Sequence, residues 1–177
     1  MTAKKIIKSV LEILGEDASV ADGALGTELT LLVRCLNMII KEIAEEYVEF
    51  KATEAVAVTD GFVSYSALSH EVRAIKEMRH DGVRVDFVER THGVETDATG
   101  EVSVTYSYYP ADVGVSDELV LPRSVSERAL VYGTASEYCL MKEQFEECVN
   151  LNSRYVRAIS SAARPKREIR IKERAWI

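Results

Sequence analysis

The chain has 177 residues and 47% apolar content, enough to bury the core of one ordinary domain or of two small ones. It contains no run of about eighteen apolar residues, and its N-terminus mixes lysines with apolar residues and lacks a cleavage signal, so neither a membrane span nor a signal peptide is predicted. The formal net charge of −7 disfavours general DNA binding, because an acidic surface repels phosphate.

Two helices are predicted ahead of the first strand. Residues 2–14 place apolar side chains on one broad face, and Gly15 follows as a residue that ends the helix. The second helix is expected to have Thr27 as its N-cap and to run to about Phe50, because apolar residues recur there at spacings of three and four.

From Ala52 onwards the apolar period changes to two, which predicts β structure. The clearest strands are VRVDFVE and VSVTYSYYP. In the first of these, Val83, Val85 and Phe87 fall on one face. The alternation of apolar and polar residues favours an antiparallel sheet with one buried face.

Helical periodicity returns after the β region and predicts two further helices. Ser124 to Glu127 has the spacing of a capping box at the start of the third helix. Gly133 would let a neighbouring helix come close to this helix, because glycine has no side chain. The fourth helix is expected to extend from about Glu143 to Ala163.

This order of elements predicts an α+β fold. Residues 1–50 and 119–163 are expected to form a small helical bundle, with residues 51–118 as an inserted antiparallel β module. Residues 164–177 are expected to form an extended C-terminal arm, because Pro165 discourages helix at its start.

No catalytic, metal or cofactor site is predicted. The histidines and cysteines show no spacing typical of metal or redox sites, and the sequence contains no phosphate-binding glycine loop or nucleophile elbow. The residues concerned are His70, His80, His92, Cys35, Cys139 and Cys148. Surface histidines and buried thiols are therefore expected, and the chain is predicted not to be an enzyme.

The C-terminal arm is the strongest candidate for a binding segment. It carries six basic and two acidic residues, a net charge of +4, whereas the other 163 residues carry 16 basic and 27 acidic residues, a net charge of −11. The candidate partner-binding residues are Ile169, Arg170, Ile171, Lys172, Arg174, Trp176 and Ile177. A solvated tail is the alternative, but burying the single tryptophan is worth roughly 4–6 kcal/mol before ordering costs.

Two other features leave alternatives open. The acidic run at residues 41–46 and the glutamates at the start of the fourth helix are either solvated helix faces or a docking surface for a basic arm. Tyr106, Tyr108 and Tyr109 either pack in the core, with one tyrosine outside, or stack on nucleic acid bases.

Four segments carry a resemblance to a known family. They are LLVRCLNMIIKEIAEEYVEFKATEAV, VSVTYSYYP, SERALVYGTASEYCLMKEQFEECVNLNSRYVRAI and RPKREIRIKERAWI. In these segments and in its overall layout the chain resembles the head-to-tail connector proteins of tailed bacteriophages, the adaptors that form a neck ring beneath the portal.

The resemblance implies a non-enzymatic structural virion protein. It implies a homo-oligomeric ring, commonly a dodecamer, with helices around a channel through which DNA passes without sequence-specific binding. The implied partners are the portal and tail or neck proteins, with no membrane and no cofactor, and the C-terminal segment would attach the protein to the portal or to adjacent subunits. The implied location is the virion neck, after synthesis in the host cytoplasm. The alternative function is a nucleic-acid-binding module that uses the basic tail and the tyrosines.

Overall fold

A computed structural model describes residues 1–23 and 26–163. The helices are α1 (Ala3–Leu14), α2 (Thr27–Glu42), α3 (Glu127–Met141) and α4 (Phe145–Ala163). The strands are β1 (Lys51–Val58), β2 (Phe62–Ser64), β3 (Glu71–His80), β4 (Val83–Val85), β5 (Val88–Arg90), β6 (Gly93–Glu95) and β7 (Gly100–Tyr109). The predicted α+β fold is confirmed. No helix within the described ranges is long and apolar enough to cross a membrane.

The first helix ends as predicted, but the second does not. Gly15 adopts φ 72°, and its amide donates to carbonyls of the last turn of α1. The N-cap of α2 is Gly26, so the expected cap Thr27 is instead the first helical residue. The predicted end near Phe50 is also wrong, because α2 stops at Glu42 and continues only as a π-helical turn, Ile43–Tyr47.

A side chain from the β region explains where this helix stops. The guanidinium of Arg73 donates to the carbonyl oxygens of Ala44 at 2.7 Å and of Glu45 at 3.2 Å. These carbonyls lie in the last helical turn, where partners from the helix itself run out. The chain then becomes extended at Val48 and enters β1.

The third helix is the centre of the helical layer. Nine of its 15 residues are buried, and it contacts α1, α2 and α4. A Cβ at Gly133 would lie 3.0 Å from carbon atoms of both Ile39 and Tyr155, so this glycine permits the close approach expected from the sequence. The cap is Ser126, whose side chain accepts from the amide of Ala129 at 3.2 Å; the predicted capping box beginning at Ser124 is not formed.

The β region contains two antiparallel sheets. One has the strand order β1-β7-β3-β4 and the other β2-β6-β5. The sequence VRVDFVE, expected to be one strand, is split: Val83–Val85 joins the first sheet and Val88–Arg90 the second. The prediction that Val83 lies on a buried face of the sheet is also wrong, because Val83 is 69% exposed. Its strand pairs with only one neighbour, β3, at the edge of the sheet.

Two hydrophobic clusters correspond to the helical layer and the β region. Tyr108 packs against both clusters, and its ring meets that of Phe50 edge-on at 5.9 Å. The return segment after β7 lies on the helices, where the amide group of Asn37 makes two hydrogen bonds with the backbone of Val113, at 3.0 and 2.8 Å. These contacts hold the two layers in one arrangement.

Candidate assembly surface

All seven partner-binding residues predicted from the sequence lie outside the described residues. They fall within 164–177, directly after the end of α4 at Ala163. Their proposed role therefore stays a prediction. The described helix that leads into this segment, α4, carries the surface features that bear on assembly.

One side of α4 is apolar but uncovered. Phe145, Val149 and Val156 are 61%, 68% and 42% exposed. At about 100° per residue these three side chains lie within about 40° of one another around the helix axis. The side facing the bundle is filled by other residues, including Leu151 and Ile159. The apolar side of α4 is therefore wider than the part that the described fold covers. The uncovered part, formed by Phe145, Val149 and Val156, is called the apolar flank.

Further apolar side chains are exposed where α3 turns into α4. Leu140 and Met141, the last two residues of α3, are 45% and 38% exposed. Phe145 begins α4 three residues after a tight turn at Lys142, in which Glu143 adopts φ 61°. Exposed apolar residues in contiguous patches of this kind mark protein-protein contact sites more often than isolated ones do.

Carboxylates border the inner side of α4. The hydroxyl of Tyr155 donates to Oε1 of Glu42 at 3.0 Å, and the ring of Tyr47 meets the ring of Tyr155 edge-on at 6.3 Å. Burial raises the pKa of Glu42, and the charges of Glu46 and Glu137 raise it further against the lowering effect of the Tyr155 hydrogen bond. Burial of Tyr155 and the charge of the neighbouring Glu42 carboxylate raise the pKa of the Tyr155 hydroxyl.

Near its other end α4 forms a basic groove with the start of α3. The groove is lined by Ser126, Arg128, Tyr132, Arg154, Arg157 and Ser161, and is called the arginine groove. The guanidinium carbon of Arg154 lies 5.8 Å from the centre of the Tyr132 ring. This groove is not predicted by the sequence analysis, although Arg154 and Arg157 are three residues apart and therefore share one side of a helix.

The arginines of this groove differ from most cations in the part of the chain that the structure describes. Nine of the 16 Lys and Arg side chains in residues 1–163 lie within 4.0 Å of a carboxylate oxygen. Among the residues that the structure describes, none of Arg128, Arg154 and Arg157 has such a partner. Three cations without carboxylate partners therefore meet in one place on a body of net charge −11.

The tyrosines of β7 pack as the core interpretation predicts. Tyr106 is fully buried and donates to Oε1 of Glu54 at 2.5 Å, and burial, followed by this hydrogen bond, raises the pKa of its hydroxyl to about 12. Tyr108 is partly buried and stacks on the ring of His70 at 4.1 Å. Tyr109, at 36% exposed, is the tyrosine outside. A row of three tyrosines free to stack on bases is therefore not present on this strand.

The histidines and cysteines lie apart from one another. Cys35 and Cys139 are buried, as expected, and burial raises the pKa of the Cys35 thiol to about 11; Cys148 is only partly buried. His70 and His92 are exposed. In the two described ranges, no three His, Cys, Asp or Glu side chains are grouped so that they could hold a metal ion.

Comparison of the chain with protein-family models finds no match, and comparison with curated proteins finds none either. The fold and the two uncovered surfaces of α4 are therefore the basis for proposing a function.

Proposed function

We propose that the chain is a subunit of a ring-shaped head-to-tail adaptor in the neck of a tailed bacteriophage. The observation that carries the proposal is the apolar flank, which the described fold leaves uncovered on the helix that leads directly into the basic segment. A structural subunit that assembles with partners needs such a surface, because removing apolar surface from water on assembly is energetically favourable.

The charge distribution supports a ring around DNA. The body carries 27 acidic and 16 basic residues, so its surface repels the phosphate backbone and offers few places where DNA would be held. A channel lined by such a body lets DNA pass without sequence-specific binding. Copies arranged around the channel are held by contacts between subunits and by attachment to the portal.

The C-terminal segment is the proposed attachment to the portal or to an adjacent subunit. Fourteen extended residues span on the order of 45–50 Å, enough to cross a neighbouring subunit. Added as a strand to a partner sheet, the segment would gain main-chain hydrogen bonds, and pockets for Ile169, Ile171 and Trp176 would set its register. Repetition of this attachment around a ring gives avidity even where each single contact is weak.

Truncation tests the attachment. A chain ending at Arg164 should keep the far-ultraviolet circular dichroism of the full chain but fail to bind the portal protein of the same virion. A matched variant, Ile169→Ser, Ile171→Ser and Trp176→Ser, keeps the net charge of +4 in this segment. It should also lose binding, because the apolar side chains supply most of the free energy. Unchanged affinity of the truncated chain for the portal would show that the segment has no such role.

A nucleic-acid-binding module is the second candidate function, favoured by the six cationic side chains within residues 164–177. This function requires binding to short DNA at low salt, with an affinity that falls steeply as salt rises. An electrophoretic shift assay decides it, and no shift at high protein concentration would eliminate it. The packing of Tyr106 and Tyr108 removes the contribution from base stacking that this candidate would need.

A further inference from the structure

The arginine groove and the apolar flank lie on different sides of α4. We propose that the apolar flank of one copy docks into the arginine groove of a second copy. This inference rests on the proposed function, because the subunits of a ring of this kind contact one another through two different surfaces.

The apolar flank and the arginine groove of one copy cannot contact each other. Arg154 and Arg157 lie about 160° and about 100° around the axis of α4 from the centre of the apolar flank, so the two surfaces face in different directions on a rigid helix. The groove is lined by residues of α3, α4 and the cap Ser126, and none of the flank residues lines it. A contact between flank and groove is therefore a contact between two molecules.

Exposed carboxylates lie on α4 and on the turn that packs against it, and in the proposed contact they pair with the arginines of the second copy. Glu146 is exposed beside Phe145 at the start of α4, and Glu46 is exposed on the π-helical turn that packs against α4. Glu42, next to the same turn, is half-buried against Tyr155. Guanidinium groups bind carboxylates through paired hydrogen bonds, and covering the contact with protein strengthens them by excluding water.

The groove also offers apolar surface for the flank. The ring of Tyr132 and the methyl group of Ala158 line it beside the three arginines. Phe145 and Val149, exposed by 61% and 68%, are the largest uncovered apolar groups on the flank. Aromatic and arginine side chains are enriched at the energetic centres of protein-protein interfaces.

A second copy fits the groove better than a phosphate group of DNA does. The carboxylates of a second copy come with the apolar flank attached, whereas a DNA backbone brings no apolar group to Tyr132 and Ala158.

Charge reversal on each surface tests the contact. The groove variant is Arg154→Glu with Arg157→Glu, and the border variant is Glu46→Arg with Glu146→Arg. The third protein combines all four changes in one chain. Arg84→Glu, on the exposed edge strand β4, is the control for reversal of a positive charge away from both surfaces.

Self-association of the full chain is measured by sedimentation equilibrium up to about 1 mM protein at low salt, where even weak contacts are populated. The wild type and Arg84→Glu should associate, each two-change variant should lose about tenfold or more in association constant, and the combined protein should recover most of it. An equimolar mixture of the groove and border variants should also recover association, because reversed groove and reversed border again match in sign.

Three results would overturn the inference. They are a wild type that stays monomeric at this concentration, reversals that leave association unchanged, and reversals whose effects are not restored in the combined protein. Binding of short duplex DNA that the groove variant alone abolishes would assign the groove to phosphate instead. A wild type that binds the portal but does not self-associate would reject this inference and leave the proposed function standing. A wild type that self-associates but does not bind the portal would reject the proposed function and leave the contact between copies standing.

Discussion

The hydroxyl group of Tyr155 donates a hydrogen bond of 3.0 Å to Oε1 of Glu42, and this bond joins α4 to the end of α2. Glu42 is half-buried, so its carboxylate has lost part of its hydration. Tyr155→Phe removes the donor and keeps the ring. The free energy of unfolding at pH 7 is expected to fall by about 1–3 kcal/mol, because a partly buried acceptor is left without its partner. Urea unfolding measures this, and an unchanged midpoint would contradict it.

The raised pKa of Glu42 predicts a pH-dependent effect. Burial is the main cause of the rise from 4.5, and it disfavours the charged form in the folded state. The stability contribution of this carboxyl is therefore fully present below the pKa of the unfolded chain and is lost as pH rises through the raised folded pKa. Glu42→Gln should gain stability relative to the wild type as pH increases from about 4 to 7.

Unfolding curves at several pH values check this prediction. Glu45→Gln is the matched control, since Glu45 is an exposed neighbour on the same turn. Parallel stability profiles for the wild type and Glu42→Gln would show that the Glu42 carboxylate is not penalised by burial.

Thr134 provides a prediction of increased stability. It is fully buried in α3, and its Oγ1 has no hydrogen-bond partner among the described residues. Thr134→Val keeps the shape of the side chain and removes the hydroxyl, so the free energy of unfolding should rise by about 1–3 kcal/mol. Ser136→Ala is the control, because Ser136 donates to the carbonyl oxygen of Cys148 at 3.1 Å and should lose stability when changed. A decrease for both would contradict the first expectation.

Gly133 sets the distance between the helices that meet at α3. Gly133→Val would place new carbon atoms against Ile39 and Tyr155, where even a Cβ lies only 3.0 Å away. The free energy of unfolding is expected to fall by about 1–3 kcal/mol, as in other overpacked cores. Thr134→Val, which is expected to raise stability, is the control for introducing a valine at the adjacent position of this helix. Equal stability of Gly133→Val and the wild type would mean that the helices separate without cost.

The periodicity of apolar residues predicts most of the helical layer, because the residues that each helix buries recur at helical spacing within its own sequence. The spacing of Leu32, Leu36 and Ile39 indicates α2, and Gly15 marks the end of α1. The end of α2 is missed because it depends on Arg73, which reaches the last carbonyls from a strand about 30 residues later. Local sequence contains no signal for such a contact.

The β region shows a second limit. VRVDFVE alternates like one strand, yet Val85 and Val88 belong to different sheets, because strand pairing depends on partners outside this segment, which are Met78 for Val85 and Glu95 for Val88. The arginine groove cannot be predicted from the sequence for a related reason. Arg128 joins Arg154 and Arg157 only after α3 and α4 pack side by side.

We propose that this chain assembles as a ring on a portal. Mass measurements on the purified full chain, on the portal protein of the same virion and on their mixture test this assembly. The mixture is expected to contain a species heavier than the portal by one ring of copies, each adding 19.7 kDa. A mixture in which the mass of the portal is unchanged, at concentrations where both proteins are folded, would contradict the claim.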